Sequence, residues 1–122
     1  MGSGLGTFRE AFRRVQPREL NELIEHAHND TLQLLVTGGV IATSLAVVGV
    51  LTLGAQLAMR SWRQTGLRDS IVGLAALSAL VSLLLHGLAD FNLSIPAIPA
   101  TLAVMVAVGW SATTHRRRKL DM

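Results

Sequence analysis

The placement of charges constrains this chain more than any other feature. No Asp, Glu, Lys or Arg falls between Asp30 and Arg60, between Asp69 and Asp90, or between Asp90 and Arg116, which leaves uncharged runs of 29, 20 and 25 residues in a chain of 122. A hydrocarbon core of roughly 30 Å takes about 20 apolar residues as helix. Inside it, backbone polar groups must be bonded within the segment. The runs therefore predict an all-α, polytopic membrane segment with three transmembrane helices, over 31–59, 70–89 and 95–114. They exclude a soluble enzyme, a DNA-binding domain and a disordered tail. The basic excess, 11 Lys and Arg against 8 Asp and Glu, does not point to nucleic acid, because the basic residues flank apolar runs. The lack of cysteine excludes disulfides, thiolate metal ligands and a Cys nucleophile.

The positive-inside rule orients the spans. Arg60, Arg63 and Arg68 follow the first run, and Arg116, Arg117, Arg118 and Lys119 follow the third. Both groups are expected in the cytoplasm, with 115–122 a basic cytoplasmic tail. Residues 1–30 then form a periplasmic interfacial segment, on the same outer face as the turn around Asp90. The opening residues have no basic stretch followed by an apolar core and so do not read as a secretory signal. An outer N-terminal segment without one fits a piece of a longer protein whose earlier spans carry it across.

Short outer-face amphipathic helices are expected before the first span. Thr7 and Glu10 have capping-box spacing, and Phe8, Phe12 and Val15 recur on one helical face. Pro17 ends this helix and opens a second with Leu20, Leu23 and Ile24 on its apolar side. Asp30, with Gln33 three residues later, is the expected cap of the first span. Gly38, Ala42 and Ala46 form a small-residue ridge suited to packing on another membrane helix. Trp110 sits where an interfacial anchor belongs.

The residues with chemistry cluster at the outer ends. His26-Ala27-His28-Asn29-Asp30 lies where a polar segment enters a span. Histidine, with an ordinary pKa of about 6.5, suits proton transfer near neutrality, and a helix N-terminus disfavours added positive charge. A solvated interfacial histidine is the plain alternative. Metal binding by His26, His28 and Asp30 is another, but it requires an extended chain where a helix is expected to begin. Ser78, Ser82, His86 and Asp90 recur every four residues along one face of the second span. They are either a packing stripe or, at His86 and Asp90, an orienting pair. Arg9 and Arg13, one turn apart, are candidate anion contacts, as are Arg14 and Arg18. Glu10 and Arg14 also suit an ordinary solvent-face pair. Gly2, Gly4 and Gly6 lack the spacing and the preceding strand of a dinucleotide fingerprint.

Three stretches together resemble the C-terminal part of the bacterial O-antigen ligase and polymerase family. Gly2-Ser3-Gly4-Leu5-Gly6-Thr7-Phe8 is like that family's glycine-rich stretch. His26-Ala27-His28-Asn29-Asp30, followed after residues 30–38 by Gly39-Val40-Ile41-Ala42-Thr43, is similar to its His-Asn motif and the Gly-x-x-Gly ending, with Ala42 in place of the second glycine. His86-Gly87-Leu88-Ala89-Asp90-Phe91-Asn92-Leu93-Ser94-Ile95-Pro96 is like its His-x3-Asp-Phe turn.

The resemblance implies a glycosyltransferase of the inner membrane. It moves a glycan from an undecaprenyl-diphosphate carrier to a hydroxyl of lipid A–core, another glycan or a protein, without metal or other cofactor. His28 matches the family's key histidine, whose implied role is general base. Asn29, His86 and Asp90 are the expected site support; arginines that hold the diphosphate are also implied, at least part of that set lies in earlier spans, and Arg9 and Arg13 are the candidates in this chain. Family members have about three times as many spans, so the remaining N-terminal spans of a parent protein are expected partners, together with membrane lipids. Alone, this segment is expected to be inactive. Two other functions stay open: a small non-enzymatic membrane protein that packs against partner helices, and a metal-dependent membrane hydrolase.

Overall fold

The computed structural model describes residues 2–4, 6–17, 27–90 and 92–114. Among them the chain is all-α. A short helix α1 (Phe8–Arg13) precedes three long ones, α2 (Asp30–Trp62), α3 (Leu67–His86) and α4 (Ala97–Thr114), and a 3-10 turn at Asn92–Ser94 lies between α3 and α4. The three long helices are each long and apolar enough to cross a membrane. At 1.5 Å per residue α3 and α4 are roughly 30 and 27 Å long, close to one hydrocarbon thickness.

A long apolar helix stands at each expected span, with shifted ends. The first extends to Trp62 because nothing in Arg60-Ser61-Trp62 opposes a helix, and the second begins three residues early, after Gly66. The second also stops at His86 rather than Ala89, with residues 87–89 forming a turn. The third begins after Pro96, and Pro99 is tolerated because it falls in the first turn.

The helices pack most closely away from the α3–α4 turn. Leu57 and Ser61 of α2 are fully buried, and Gly73, Ala76 and Leu80 of α3 and Gly109 and Thr113 of α4 are nearly so. Glycine allows the approach: a Cβ on Gly109 would overlap Ala76 Cβ, and one on Gly73 would overlap Ser61 Oγ. The ridge of Gly38, Ala42 and Ala46 does not make this packing, and Ala42 and Ala46 remain exposed. Most other apolar side chains of α2 face outward, among them Val40, Ile41, Leu45, Val48 and Leu51. Hydroxyls within the helices bond back to the carbonyl four residues earlier: Thr37 to Gln33, Thr52 to Val48, Ser61 to Leu57 and Thr113 to Gly109. Each of these four hydroxyls is thereby satisfied within its own helix.

Helix α2 is broken. Gly39 has φ 75° and ψ 176°, backbone open essentially only to glycine. A straight helix would turn the Val36 and Thr37 carbonyls onto the amides four residues on. Here they accept from Ser3 N and Gly4 N, both at 2.9 Å. Gly2 lies so close to the break that a Cβ would overlap Thr37 O and Gly39 N.

Two local expectations fail on α1. Thr7 makes no side-chain cap bond. Its hydroxyl is turned back towards the chain before α1, where it donates to Gly4 O at 2.7 Å, and no helix amide donates to its oxygen. Val15 lies beyond the helix end and is exposed, whereas Phe8 is buried and stacks on Phe12 with ring centroids 5.8 Å apart. The expected second short helix, His26 and the basic tail lie outside the described residues.

Candidate functional site at the α2 start and the α3–α4 turn

The start of α2 and the turn joining α3 to α4 are bonded together. Asn29, not Asp30, caps α2: its Oδ1 accepts from Leu32 N at 2.9 Å, from an extended backbone that Asp30, already helical, does not have. The Asn29 Nδ2 donates to Leu88 O at 2.6 Å. Asp30 is left for a different task. Its amide donates to Gly87 O at 2.8 Å, and its Oδ2 accepts from Leu93 N at 2.9 Å. Gln33 adds a third tie, with Nε2 donating to Ser94 Oγ at 3.1 Å and Oε1 accepting from Ala27 N at 3.2 Å. Gly87 makes room for this joint, since a Cβ there would come within 2.9 Å of Asp30 Oδ2.

His28 precedes this joint by one residue. Its φ of 49° is the only positive value at a non-glycine position among the described residues. Left-handed backbone at a histidine is uncommon, and such residues gather at functional sites. Across the joint, His86 Nε2 stands 3.9 Å from Asp90 Oδ2, with both side chains largely exposed. The i, i+4 spacing accounts for this pair. Asn92 Nδ2 is buried with no hydrogen-bond partner in the structure.

The glycine-rich stretch arrives at the same end of the bundle. Ser3 and Gly4 bond to the α2 break, and α1, which carries Arg9 and Arg13 one turn apart, packs on α2. Arg9 is half-buried and Arg13 exposed. Ser78 and Ser82 lie exposed along α3 and line no interior.

Thus Asn29 and the His86–Asp90 pair belong to one joint, with His28 beside it. Sequence reasoning missed the bonding roles of Asp30, Gln33 and Ser94, and the break at Gly39. Only the break had a local signal, the adjacent glycines Gly38 and Gly39 inside an apolar run. Chemically, the joint offers an imidazole next to a fixed amide, a second imidazole beside a carboxylate, and arginines on a neighbouring short helix. In comparisons with known proteins, no family model, no curated protein and no solved structure matches the chain.

Proposed function

We propose that the chain is the C-terminal part of an O-antigen ligase-like membrane glycosyltransferase, and that the α2 start and the α3–α4 turn form part of its transfer site. One observation carries the reading. The three stretches that resemble the family, residues 2–8, 26–43 and 86–96, are far apart in sequence, yet Ser3, Gly4, Asn29, Asp30 and Gly87 tie their described parts to one end of the bundle. A chain whose spans only packed against a partner would not need polar residues from all three stretches joined there.

In this reading His28 accepts the proton of the acceptor hydroxyl as its oxygen attacks the anomeric carbon of the carrier-linked sugar. The new C–O bond forms with inversion, the bond to the diphosphate breaks, and undecaprenyl diphosphate leaves with the electron pair. A positioned base of this kind contributes about 10²–10⁴-fold. Arg9 and Arg13 meet the charge on the leaving diphosphate, Asn29 holds the backbone beside His28, and His86 with Asp90 supports the acceptor side. The reading calls for no cofactor. It puts residues 1–30 and the Asp90 turn in the periplasm, and the Arg60–Arg68 loop and the tail in the cytoplasm of a bacterial inner-membrane protein. The acceptor is lipid A–core or another glycan. The exposed Ala42 and Ala46 face of α2 suits the earlier spans of a parent protein.

Deleting the gene in its own host tests this reading. Glycan should then accumulate on the undecaprenyl-diphosphate carrier and disappear from the acceptor, and the intact gene should restore transfer. Unchanged glycan on every acceptor would overturn the proposal.

A further inference from the structure

At the opposite end of the bundle the transfer chemistry uses nothing, yet the side chains are arranged with care. The Arg60 guanidinium carbon stands 3.9 Å from the centre of the Trp110 ring, stacked over its face. Arg60 Nη1 donates to Thr114 Oγ1 at 3.0 Å. Gln64 Nε2 donates to Thr113 O at 2.6 Å, and Ser70 Oγ donates to Ser61 O at 2.9 Å, so the loop is tied to α4 and to the end of α2. Within ten residues this loop carries Arg60, Arg63 and Arg68 against Asp69 alone, and among the described residues none of the three makes an ion pair. Trp62 projects beside them, 87% exposed, where an indole lies comfortably at a membrane–water boundary.

Orienting a helix bundle requires only that positive charge be present in the loop. It does not require a guanidinium held in one place. Stacking on Trp110 and the bond to Thr114 hold Arg60 against its own rotamer freedom, and among the described residues only Nη1 is engaged. A planar guanidinium presents paired N–H groups that match phosphate oxygens bidentately. Anionic headgroups lie at this depth on the cytoplasmic leaflet, where each basic residue near the surface adds about 1 kcal/mol, or about fivefold in affinity.

We infer that Arg60, fixed on Trp110 and assisted by Arg63 and Arg68, forms a binding site for the phosphate headgroup of an anionic phospholipid. The inference uses none of the transfer-site residues and shares with the glycosyltransferase reading only the cytoplasmic placement of this loop.

The test is native mass spectrometry of the full-length protein in neutral detergent, titrated with phosphatidylglycerol or phosphatidylcholine. Phosphatidylglycerol should bind at least tenfold more tightly. Arg60→Gln should weaken it about fivefold, and Arg60→Lys, which keeps the charge but not the planar fork, should fall between Arg60→Gln and the unchanged protein. Inorganic phosphate at the lipid concentration should not displace the lipid. Equal binding of the two lipids overturns the inference without recourse to any variant. So does Arg60→Gln binding phosphatidylglycerol as well as the unchanged protein. Displacement by inorganic phosphate overturns the lipid as the occupant.

Discussion

Asn29 bonds in two directions at once: its Oδ1 caps α2 at Leu32 N, and its Nδ2 reaches Leu88 O at 2.6 Å across the bundle. One short side chain thus starts α2 and holds it to the turn between α3 and α4. The roles are separable. Asn29→Ala loses both bonds and should cost about 1–3 kcal/mol, the sum of a helix cap and a hydrogen bond to the α3–α4 turn. Asn29→Ser keeps an acceptor for the cap but has no amide to reach Leu88 O, so it should cost about half as much. Thermal unfolding in detergent of the two variants beside the parent checks the ordering.

The break in α2 predicts a contrast between adjacent glycines. Gly39→Ala places a Cβ on backbone with φ 75°, ψ 176° and should cost about 1–3 kcal/mol. Gly38→Ala meets only Ala42 Cβ at 3.1 Å and the end of Leu34 at 3.3 Å, which a small shift of the leucine relieves. It should cost less than about 1 kcal/mol. Equal destabilisation would mean that α2 runs straight.

A second glycine contrast tests the α3–α4 packing. Gly109→Ala would force a methyl onto Ala76 Cβ and should destabilise by about 1–3 kcal/mol. Gly49→Ala meets nothing within 4 Å and should be neutral or stabilise by about 0.5–1 kcal/mol through helix propensity. Melting midpoints of the two variants should move in opposite directions or differ clearly in size.

The spans were legible because a run of about 20 residues without charge has few other uses. The expectation that residues before Asp30 and the Asp90 turn share one end also came from sequence, since three consecutive spans alternate direction. Hydropathy is blind to the break at Gly39, because a kinked apolar helix and a straight one have the same composition. The partners that complete it, Ser3 and Gly4, lie more than 30 residues away. The cap moved from Asp30 to Asn29 for a similar reason. Either residue suits a cap by type, and what decides between them is the pairing of Asp30 with Leu93, set by a 3-10 turn that no periodicity announces. Thr7 likewise bonds back to Gly4 and Ser3 rather than forward into α1.

The topology is open to direct labelling because the chain has no cysteine of its own. Ala89, in the turn after α3, and Thr65, in the arginine loop, are both exposed and belong to opposite ends. In spheroplasts a membrane-impermeant maleimide should modify the Ala89→Cys variant. It should modify the Thr65→Cys variant only after the inner membrane is opened. The reverse pattern would invert the bundle and move His28 away from the periplasm.

The most direct test of the transfer site is His28→Ala in the intact parent protein, expressed in its own host at the same membrane level as the unchanged protein. Glycan transfer to the acceptor should fall by at least about 10²-fold, the lower bound for a positioned base, while carrier-linked glycan accumulates and the protein stays inserted. Transfer at the parental rate, with the variant present at equal level, would contradict the assignment of His28 as the base.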